Sequence, residues 1–191
     1  MKIGVFEIES WEHEAFDDLS QKHELPFEER VLDVDIAKEH ADVDVVSVFI
    51  YSYLDAEILK HFKQLKLITT RSTGVDHIDI DYCGKHGIAV ARVPDYGTHT
   101  VAEHVFALLL AISHKLIEAI ERTRRGDFTK EGLTGFDLAD HILLRMGNVI
   151  VTPHTAFNTT EAVERILRTT RENITSFLEG EGQNQVIRPD E

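Results

Sequence analysis

The turn Ser72-Thr73-Gly74-Val75 has the residue types and spacing of a small anion site. It follows an apolar, strand-like segment. A glycine there allows the backbone to fold so that successive N–H groups point into one concavity, which suits a carboxylate. The same residues are also compatible with a plain strand-to-helix turn in which Gly74 serves only the geometry. From the residues alone, both interpretations stay open.

A second candidate is His154, in the sequence Pro153-His154-Thr155. Imidazole can donate or accept a proton near neutral pH, which suits general acid–base work. The alternative is a surface histidine, because the chain has 11 of them. His99 and His104 are five apart and do not share a helix face, and the others are scattered, so we predict no metal site.

Two tyrosines, Tyr51 and Tyr53, end an apolar segment and could line a substrate pocket or lie on its rim as exposed aromatics. No Ser/His/Asp or Cys/His combination for nucleophilic catalysis is recoverable from local spacing.

Five strand-like segments alternate with short helical patterns over the first hundred residues. They are Lys2–Ile8, Glu28–Leu32, Val45–Tyr51, Leu65–Thr70 and Ile88–Val93. Strict alternation of this kind predicts βαβ units and an α/β fold with a parallel sheet. We predict a flavodoxin-like, doubly wound, five-stranded sheet in the order 2-1-3-4-5, with additional long helices. Ligands of such sheets lie beyond the carboxyl ends of the strands, where the sequence places the segments 7–10, 51–53, 71–76 and 94–98.

The additional helices are predicted over 100–125 and 159–179. Thr100 and Glu103 have the spacing of a capping box at the start of the first, and Asn158 and Glu161 that of a cap for the second. The first helix is apolar on two faces, which predicts a homodimer or a domain swap through an exposed face. We see no linker and predict a single domain over 1–191.

Composition excludes several classes of partner. The formal net charge is −14, which argues against nucleic acid and anionic membrane surfaces. The longest apolar run, 105–112, is too short to span a bilayer, and no signal peptide is visible. A single cysteine, Cys83, excludes an internal disulfide and fits a reducing cytoplasm, where we expect the protein.

Nucleotide cofactors are disfavoured by the glycine positions. The 11 glycines stand at 4, 74, 84, 87, 97, 126, 132, 135, 147, 180 and 182, and none of them form G-x-G-x-x-G. The turn after the first predicted strand is acidic, Glu7-Ile8-Glu9, where a flavin phosphate would need hydroxyls and glycine. Tyr51 stands where a phospho-acceptor receiver domain needs an aspartate. We expect no cofactor for this chain.

Three segments resemble the D-2-hydroxyacid dehydrogenases, which reduce 2-keto acids with NAD. They are Thr70–Asp81 (TRSTGVDHIDID), Val93–Ala111 (VPDYGTHTVAEHVFALLLA) and Asn148–Ala162 (NVIVTPHTAFNTTEA). The resemblance implies that backbone amides of the 72–75 turn hold the substrate carboxylate, and it favours that interpretation over a plain turn. It also implies that His154 matches the acid/base histidine. Tyr96, Thr100 and Val101 would face the nicotinamide side, although a capped buried helix suffices to explain the latter two.

The departure from the family is one internal gap near 137–141, where a cofactor domain would be inserted. That domain would supply NAD binding, a glutamate that orients the histidine and an arginine that clamps the keto acid. We therefore expect an isolated substrate-binding domain, an excised or engineered fragment that is inactive alone and binds 2-hydroxy or 2-keto acids weakly. The alternatives are a subunit completed by a cofactor domain in trans, and a small-carboxylate binding module.

Overall fold

A computed structural model describes residues 1–138, 156 and 158–187 of the chain. By their contacts the residues group into two compact units. The first comprises 1–96 and 163–191, and the second 97–162. The prediction of one domain over the whole chain stays a prediction.

The first unit is built on one sheet. Its strands are β1 (Ile3–Phe6), β2 (Phe27–Glu28), β3 (Val45–Val48), β4 (Leu67–Thr70), β5 (Ala89–Ala91) and β6 (Gln185–Ile187). They lie in the order β2-β1-β3-β4-β5-β6. The first five strands are parallel, which confirms the predicted fold class and the order 2-1-3-4-5. The prediction missed β6, which pairs antiparallel with β5. Strand β6 is only partly buried, and with three residues it is too short to show an alternating apolar pattern in the sequence.

The helices are α1 (Asp17–Ser20), α2 (Val34–Glu39), α3 (Ala56–Leu59), α4 (Ile80–Lys85), α5 (Thr98–Ser113), α6 (Leu116–Arg124) and α7 (Thr160–Leu178). A 3-10 helix over Ser10–Phe16 precedes α1. Side chains of the capping aspartates Asp33, Asp55 and Asp79 accept backbone N–H groups at the starts of α2, α3 and α4. These caps fix where each helix leaves the carboxyl edge of the sheet.

Both faces of the sheet are buried, as in a doubly wound fold. Along β3, the side chain of Val46 belongs to one apolar cluster and that of Val45 to the other. The first cluster includes apolar residues of α2, α3 and α4, and the second those of α1 and α7. Alternating side chains therefore enter two separate cores, which explains why the central strands are apolar at consecutive positions.

The predicted single helix over 100–125 is wrong, because two helices occupy that segment. Lys115, with φ of 50°, breaks the helix between α5 and α6. The backbone of Gly135 crosses the end of α5 so closely that a Cβ there would lie 2.1 Å from the carbonyl oxygen of Ser113. Phe136 donates its N–H to that same oxygen at 2.9 Å. A continuing helix would need the Ser113 carbonyl oxygen as the acceptor for its next turn, but that oxygen already accepts the N–H of Phe136.

The predicted caps of the long helices are also wrong. Helix α5 begins at Thr98 with Gly97 as its N-cap, so Thr100 lies inside its first turn. At α7, the hydroxyl of Thr159 rather than the side chain of Asn158 accepts an N–H, from Ala162 at 3.3 Å. Gly180, whose φ is 85°, follows α7 in the left-handed conformation that commonly ends a helix.

Within the described ranges, each helix by itself is too short or too polar to cross a membrane. The pair α5 and α6 meets the length and composition test only when taken together, and it is bent by 65°.

Replacing Gly4 by alanine is expected to lower the free energy of unfolding by about 1–3 kcal/mol, the usual cost of overpacking a core. The added Cβ would lie 2.6 Å from Cε2 of the fully buried Phe6 ring. The control is Gly84→Ala in α4, where the new methyl meets only Ile187 at 3.8 Å and a helix gains stability, by about 0.5–1 kcal/mol. Urea unfolding of both variants measures the difference. Equal stabilities would contradict the packing around Gly4.

Candidate functional site

The crevice between β1 and β3 marks the point where the strand order reverses, and doubly wound folds commonly bind ligands there. Here the protein's own Glu7 occupies it. Glu7 has φ of 54°, and its carboxylate accepts the N–H groups of Phe49 at 2.7 Å and Tyr51 at 2.9 Å. The amides that an anionic ligand would use at this crevice are therefore already paired with a carboxylate.

Arg71 lies directly beneath this crevice and is only 2% exposed. Its guanidinium donates to the carbonyl oxygens of Phe6 at 2.9 Å and Glu7 at 2.6 Å, and to the Ser47 hydroxyl at 3.3 Å. Burial lowers the pKa of Arg71, and the negative charges of Glu12 and Glu7 oppose that shift. No carboxylate of the described residues forms an ion pair with it. Arg71 thus stabilises the carboxyl ends of β1 and β3 through neutral acceptors.

The turn that follows Arg71 has all its successive carbonyl groups engaged. The oxygen of Ser72 accepts the N–H of Val93 at 3.0 Å. The oxygen of Thr73 accepts from the Arg92 guanidinium at 3.2 Å, and that of Gly74 from the Ser72 hydroxyl at 2.7 Å. Three consecutive peptide oxygens are therefore held by donors of the protein itself.

The N–H groups of the same peptides have no such partners. Within the part of the chain that the structure describes, the N–H groups of Thr73, Gly74 and Val75 have no hydrogen-bond acceptor. In a planar trans peptide, the C=O and N–H groups point in opposite directions. The groups that donate to the three oxygens therefore lie on one side of each peptide, and the N–H groups point to the other side. Thr73 and Gly74 are exposed. The turn presents unpaired donors, which is the arrangement that binds an anion.

The sequence-based reason for Gly74 was wrong in one respect. Its φ does not lie in the left-handed region, so the backbone conformation does not require glycine. A Cβ at this position would lie 3.3 Å from a carboxylate oxygen of Asp76. Asp76 is exposed, so its side chain can move to admit a Cβ at this position.

A buried polar network lies behind the turn. The hydroxyl of Thr70 lies 2.7 Å from the Ser72 hydroxyl and 3.0 Å from Nε2 of His77. These three side chains are at most 8% exposed. Burial lowers the pKa of His77, and the charge of Asp76 opposes that shift, so the imidazole is neutral at pH 7.

The two predicted pocket tyrosines protrude from the segment after β3. Tyr51 is 66% exposed and Tyr53 is 68% exposed. Leu54, the residue after Tyr53, donates its N–H to the carbonyl of His77 at 2.7 Å. This backbone pairing places the tyrosine segment beside the end of the candidate turn, while the tyrosine rings remain in solvent.

The three residues expected to face a nicotinamide divide between the two compact units. Tyr96, in the first unit, is half-buried, burial raises its pKa, and its carbonyl accepts from Nε and Nη2 of Arg165 at 2.9 and 2.7 Å. In the second unit, Thr100 is buried and Val101 is 43% exposed. His154 lies outside the described residues.

Sequence reasoning did not single out Arg71, Arg92 or His77. A charged residue immediately after an apolar strand was the available signal for Arg71, whereas Arg92 lies inside the predicted strand Ile88–Val93. Nothing in the local pattern showed that Arg92 reaches the turn, because its contact with Thr73 joins the segments that follow β5 and β4.

A dinucleotide does not fit at the end of β1. Its pyrophosphate would need a glycine-lined approach at the end of β1, but that turn carries Glu7, Glu9 and Glu12 instead. The described ranges also contain no group of three or more His, Cys, Asp or Glu that could hold a metal ion.

Comparison with known proteins adds independent information. The model of the family described as D-isomer specific 2-hydroxyacid dehydrogenase, catalytic domain, matches residues 5–188. The 2-hydroxyacid dehydrogenase homolog 1 of Schizosaccharomyces pombe is 35% identical over 142 residues, which cover 72% of this chain and 43% of that protein.

Solved structures give the same result. D-lactate dehydrogenase from Aquifex aeolicus, in complex with NAD and lactic acid, aligns with a TM-score of 0.66 and 29% identity over 71% of this chain and 41% of its own. The pyruvate reductase of Chlamydomonas reinhardtii aligns with a TM-score of 0.60 and 31% identity over 72% of this chain and 42% of its own. The chain spans less than half the length of the curated relatives it matches. Since the family model covers nearly the whole chain, this protein belongs to the D-isomer specific 2-hydroxyacid dehydrogenases and matches their catalytic domain.

Proposed function

We propose that this chain is a substrate-binding domain of the D-2-hydroxyacid dehydrogenase type, which takes the carboxylate of a small 2-hydroxy or 2-keto acid at the turn 73–75. The observation that carries the proposal is the polarity of that turn. Its three peptide oxygens are paired inside the protein, and its three N–H groups are unpaired among the described residues. A carboxylate is the ligand that these donors match in charge and size.

The expected affinity is low. Three charge-assisted hydrogen bonds contribute about 5–9 kcal/mol in total, and association itself costs at least about 4 kcal/mol. The difference, at most about 5 kcal/mol, corresponds to a dissociation constant of about 0.2 mM or weaker. The net charge of −14 further weakens the capture of an anion at low ionic strength.

Titration with D-lactate is expected to shift the backbone amide signals of Thr73, Gly74 and Val75 in ¹H–¹⁵N correlation spectra, with saturation in the millimolar range. The physical reason is direct donation from these N–H groups to the carboxylate. The neutral methyl ester of D-lactate is the control, and it should leave the three signals unchanged. Shifts confined to other amides, or equal shifts with the ester, would contradict the proposed site.

We further propose that the chain does not reduce keto acids by itself. Hydride transfer requires cofactor and substrate held in near-attack geometry, a contribution of about 7–11 kcal/mol. The end of β1 is acidic, and its Glu7 carboxylate accepts the N–H groups of Phe49 and Tyr51 after β3, which argues against a cofactor pyrophosphate at this edge. His154 is the proposed vestige of the acid/base residue.

Mixing the chain with NADH and pyruvate or glyoxylate is therefore expected to give no oxidation above the protein-free background, measured by absorbance at about 340 nm. A His154→Ala variant is the matched control, and it should give the same trace. Turnover by the unaltered chain that the variant lacks would overturn this proposal.

A second candidate function is a subunit completed by a separate cofactor domain. The observation that favours it is the length of the relatives, of which the chain covers about 43%, although the family model matches on both sides of the 137–141 gap. Addition of a separately produced cofactor domain should then restore NADH oxidation. If the chain binds the acid but the added domain does not restore NADH oxidation, the remaining candidate is a carboxylate-binding module. An engineered excision would show as a longer reading frame in the source DNA.

Self-association through α5 and α6 is also part of the proposal. Seven large apolar side chains of these helices are 43–62% exposed: Val101, Val105, Phe106, Leu110, Leu116, Ile117 and Ile120. Exposed apolar side chains in this number promote association, and in a symmetric dimer the same side chains of a second copy would cover them. A domain swap would bury the same surface.

Light scattering is expected to show a dimer for the unaltered chain and a monomer for Phe106→Glu, because a carboxylate in an apolar interface is desolvated without a partner. Phe106 is 62% exposed, so the substitution should not unfold the chain. The control is Trp11→Glu, which changes a side chain of similar exposure, 61%, that is distant in sequence from α5 and α6. This variant should stay dimeric. A monomeric parent at high concentration would overturn the prediction.

The cytoplasm is the proposed location. Cys83 is the single cysteine, it is buried, and burial raises the pKa of its thiol to about 12. Such a thiol is protected from oxidation and contributes no disulfide, which fits a protein that works in a reducing compartment.

A further inference from the structure

The side-chain hydrogen bonds behind the candidate turn have a fixed direction. A carbonyl only accepts, so the hydroxyl of Ser72 uses its single proton on the Gly74 oxygen, 2.7 Å away. The contact of 2.7 Å between Ser72 and Thr70 then requires Thr70 to donate. Thr70 has no proton left for His77, so Nε2 of the imidazole, 3.0 Å from the Thr70 hydroxyl, must carry the hydrogen.

The end of this chain of bonds sets the orientation of one peptide. The Gly74 oxygen and the Val75 N–H belong to the same planar unit and point in opposite directions. A donor that holds the Gly74 oxygen on the side of Ser72 therefore directs the Val75 N–H to the other side. Thr70, Ser72 and His77 are 0%, 4% and 8% exposed, so packing restricts their rotamers.

We propose that the chain His77–Thr70–Ser72 is a positioning network that aims the Val75 N–H at the carboxylate of the bound acid. The inference rests on the proposed function of the 73–75 turn and adds how that turn is preorganised. None of the three side chains needs to touch the ligand. Their contribution is to hold a donor in its binding orientation before the ligand arrives, so that binding does not have to order it.

The strand β4 offers a matched pair of substitutions. Thr70→Val removes the hydroxyl that links His77 to Ser72. Thr69→Val makes the same chemical change one residue earlier, at a fully buried hydroxyl with no hydrogen-bond partner among the described residues. Ser72→Ala removes the donor to the Gly74 oxygen itself.

Affinity for D-lactate, measured by amide shifts on variants whose fold is checked by circular dichroism, should follow a graded order. Ser72→Ala is expected to weaken binding about tenfold, which corresponds to about 1.4 kcal/mol. Thr70→Val leaves Ser72 able to donate and should weaken binding severalfold, while Thr69→Val should bind like the parent. His77→Gln, which keeps an N–H donor at a similar position, should bind better than His77→Phe.

Imidazole ¹⁵N shifts supply a readout that loss of packing does not mimic. His77 is expected as the Nε2–H tautomer in the parent, and a mixture of tautomers should appear in Ser72→Ala, because Thr70 is then free to donate to the ring. An Nδ1–H tautomer in the parent would overturn the inference. So would equal affinity of Thr70→Val and Thr69→Val when the parent binds, and in that case the proposed function stands. No binding by the parent would overturn both.

Discussion

The carboxyl edge of the sheet depends on the burial of one cation, Arg71. Its guanidinium contacts the carbonyls of Phe6 and Glu7 at the end of β1 and the hydroxyl of Ser47 in β3, and its own backbone continues β4. Three strands that are separate in sequence are thereby fixed at one point. Burying a guanidinium costs free energy unless its N–H groups have acceptors. Separating these strand ends would break the hydrogen bonds of Arg71 and leave buried N–H groups without acceptors. That penalty keeps the strand ends together.

The positions of Glu7 and of the candidate turn both follow from this arrangement. Accepting from Arg71 holds the Glu7 carbonyl in place while its backbone adopts a left-handed conformation, which a non-glycine residue keeps only when its surroundings compensate. The turn 72–75 begins directly after Arg71, so its first residue is attached to a buried, hydrogen-bonded position of the core. A binding loop that leaves a rigid strand end needs few further constraints, and Arg92, Val93 and Ser72 supply them.

The sequence predicted the five parallel strands and their order because consecutive apolar positions are typical of strands buried on both faces. It also predicted the turn 72–75 as the candidate site. It could not predict the break at Lys115, which depends on the crossing backbone near Gly135, nor β6, which forms only where β5 leaves an edge free. The pairing of the Ser72 and Thr73 carbonyls could not be predicted either, since their donors Val93 and Arg92 come from the segment after β5.

Two turns at the same edge of this sheet have opposite electrostatic character. After β1, the Glu7 carboxylate already accepts the N–H groups of Phe49 and Tyr51 in the neighbouring segment. After β4, three amides are unpaired among the described residues, and the guanidinium of Arg92 lies at the Thr73 carbonyl. A small monocarboxylate, the ligand of the proposed function, would need only the second turn.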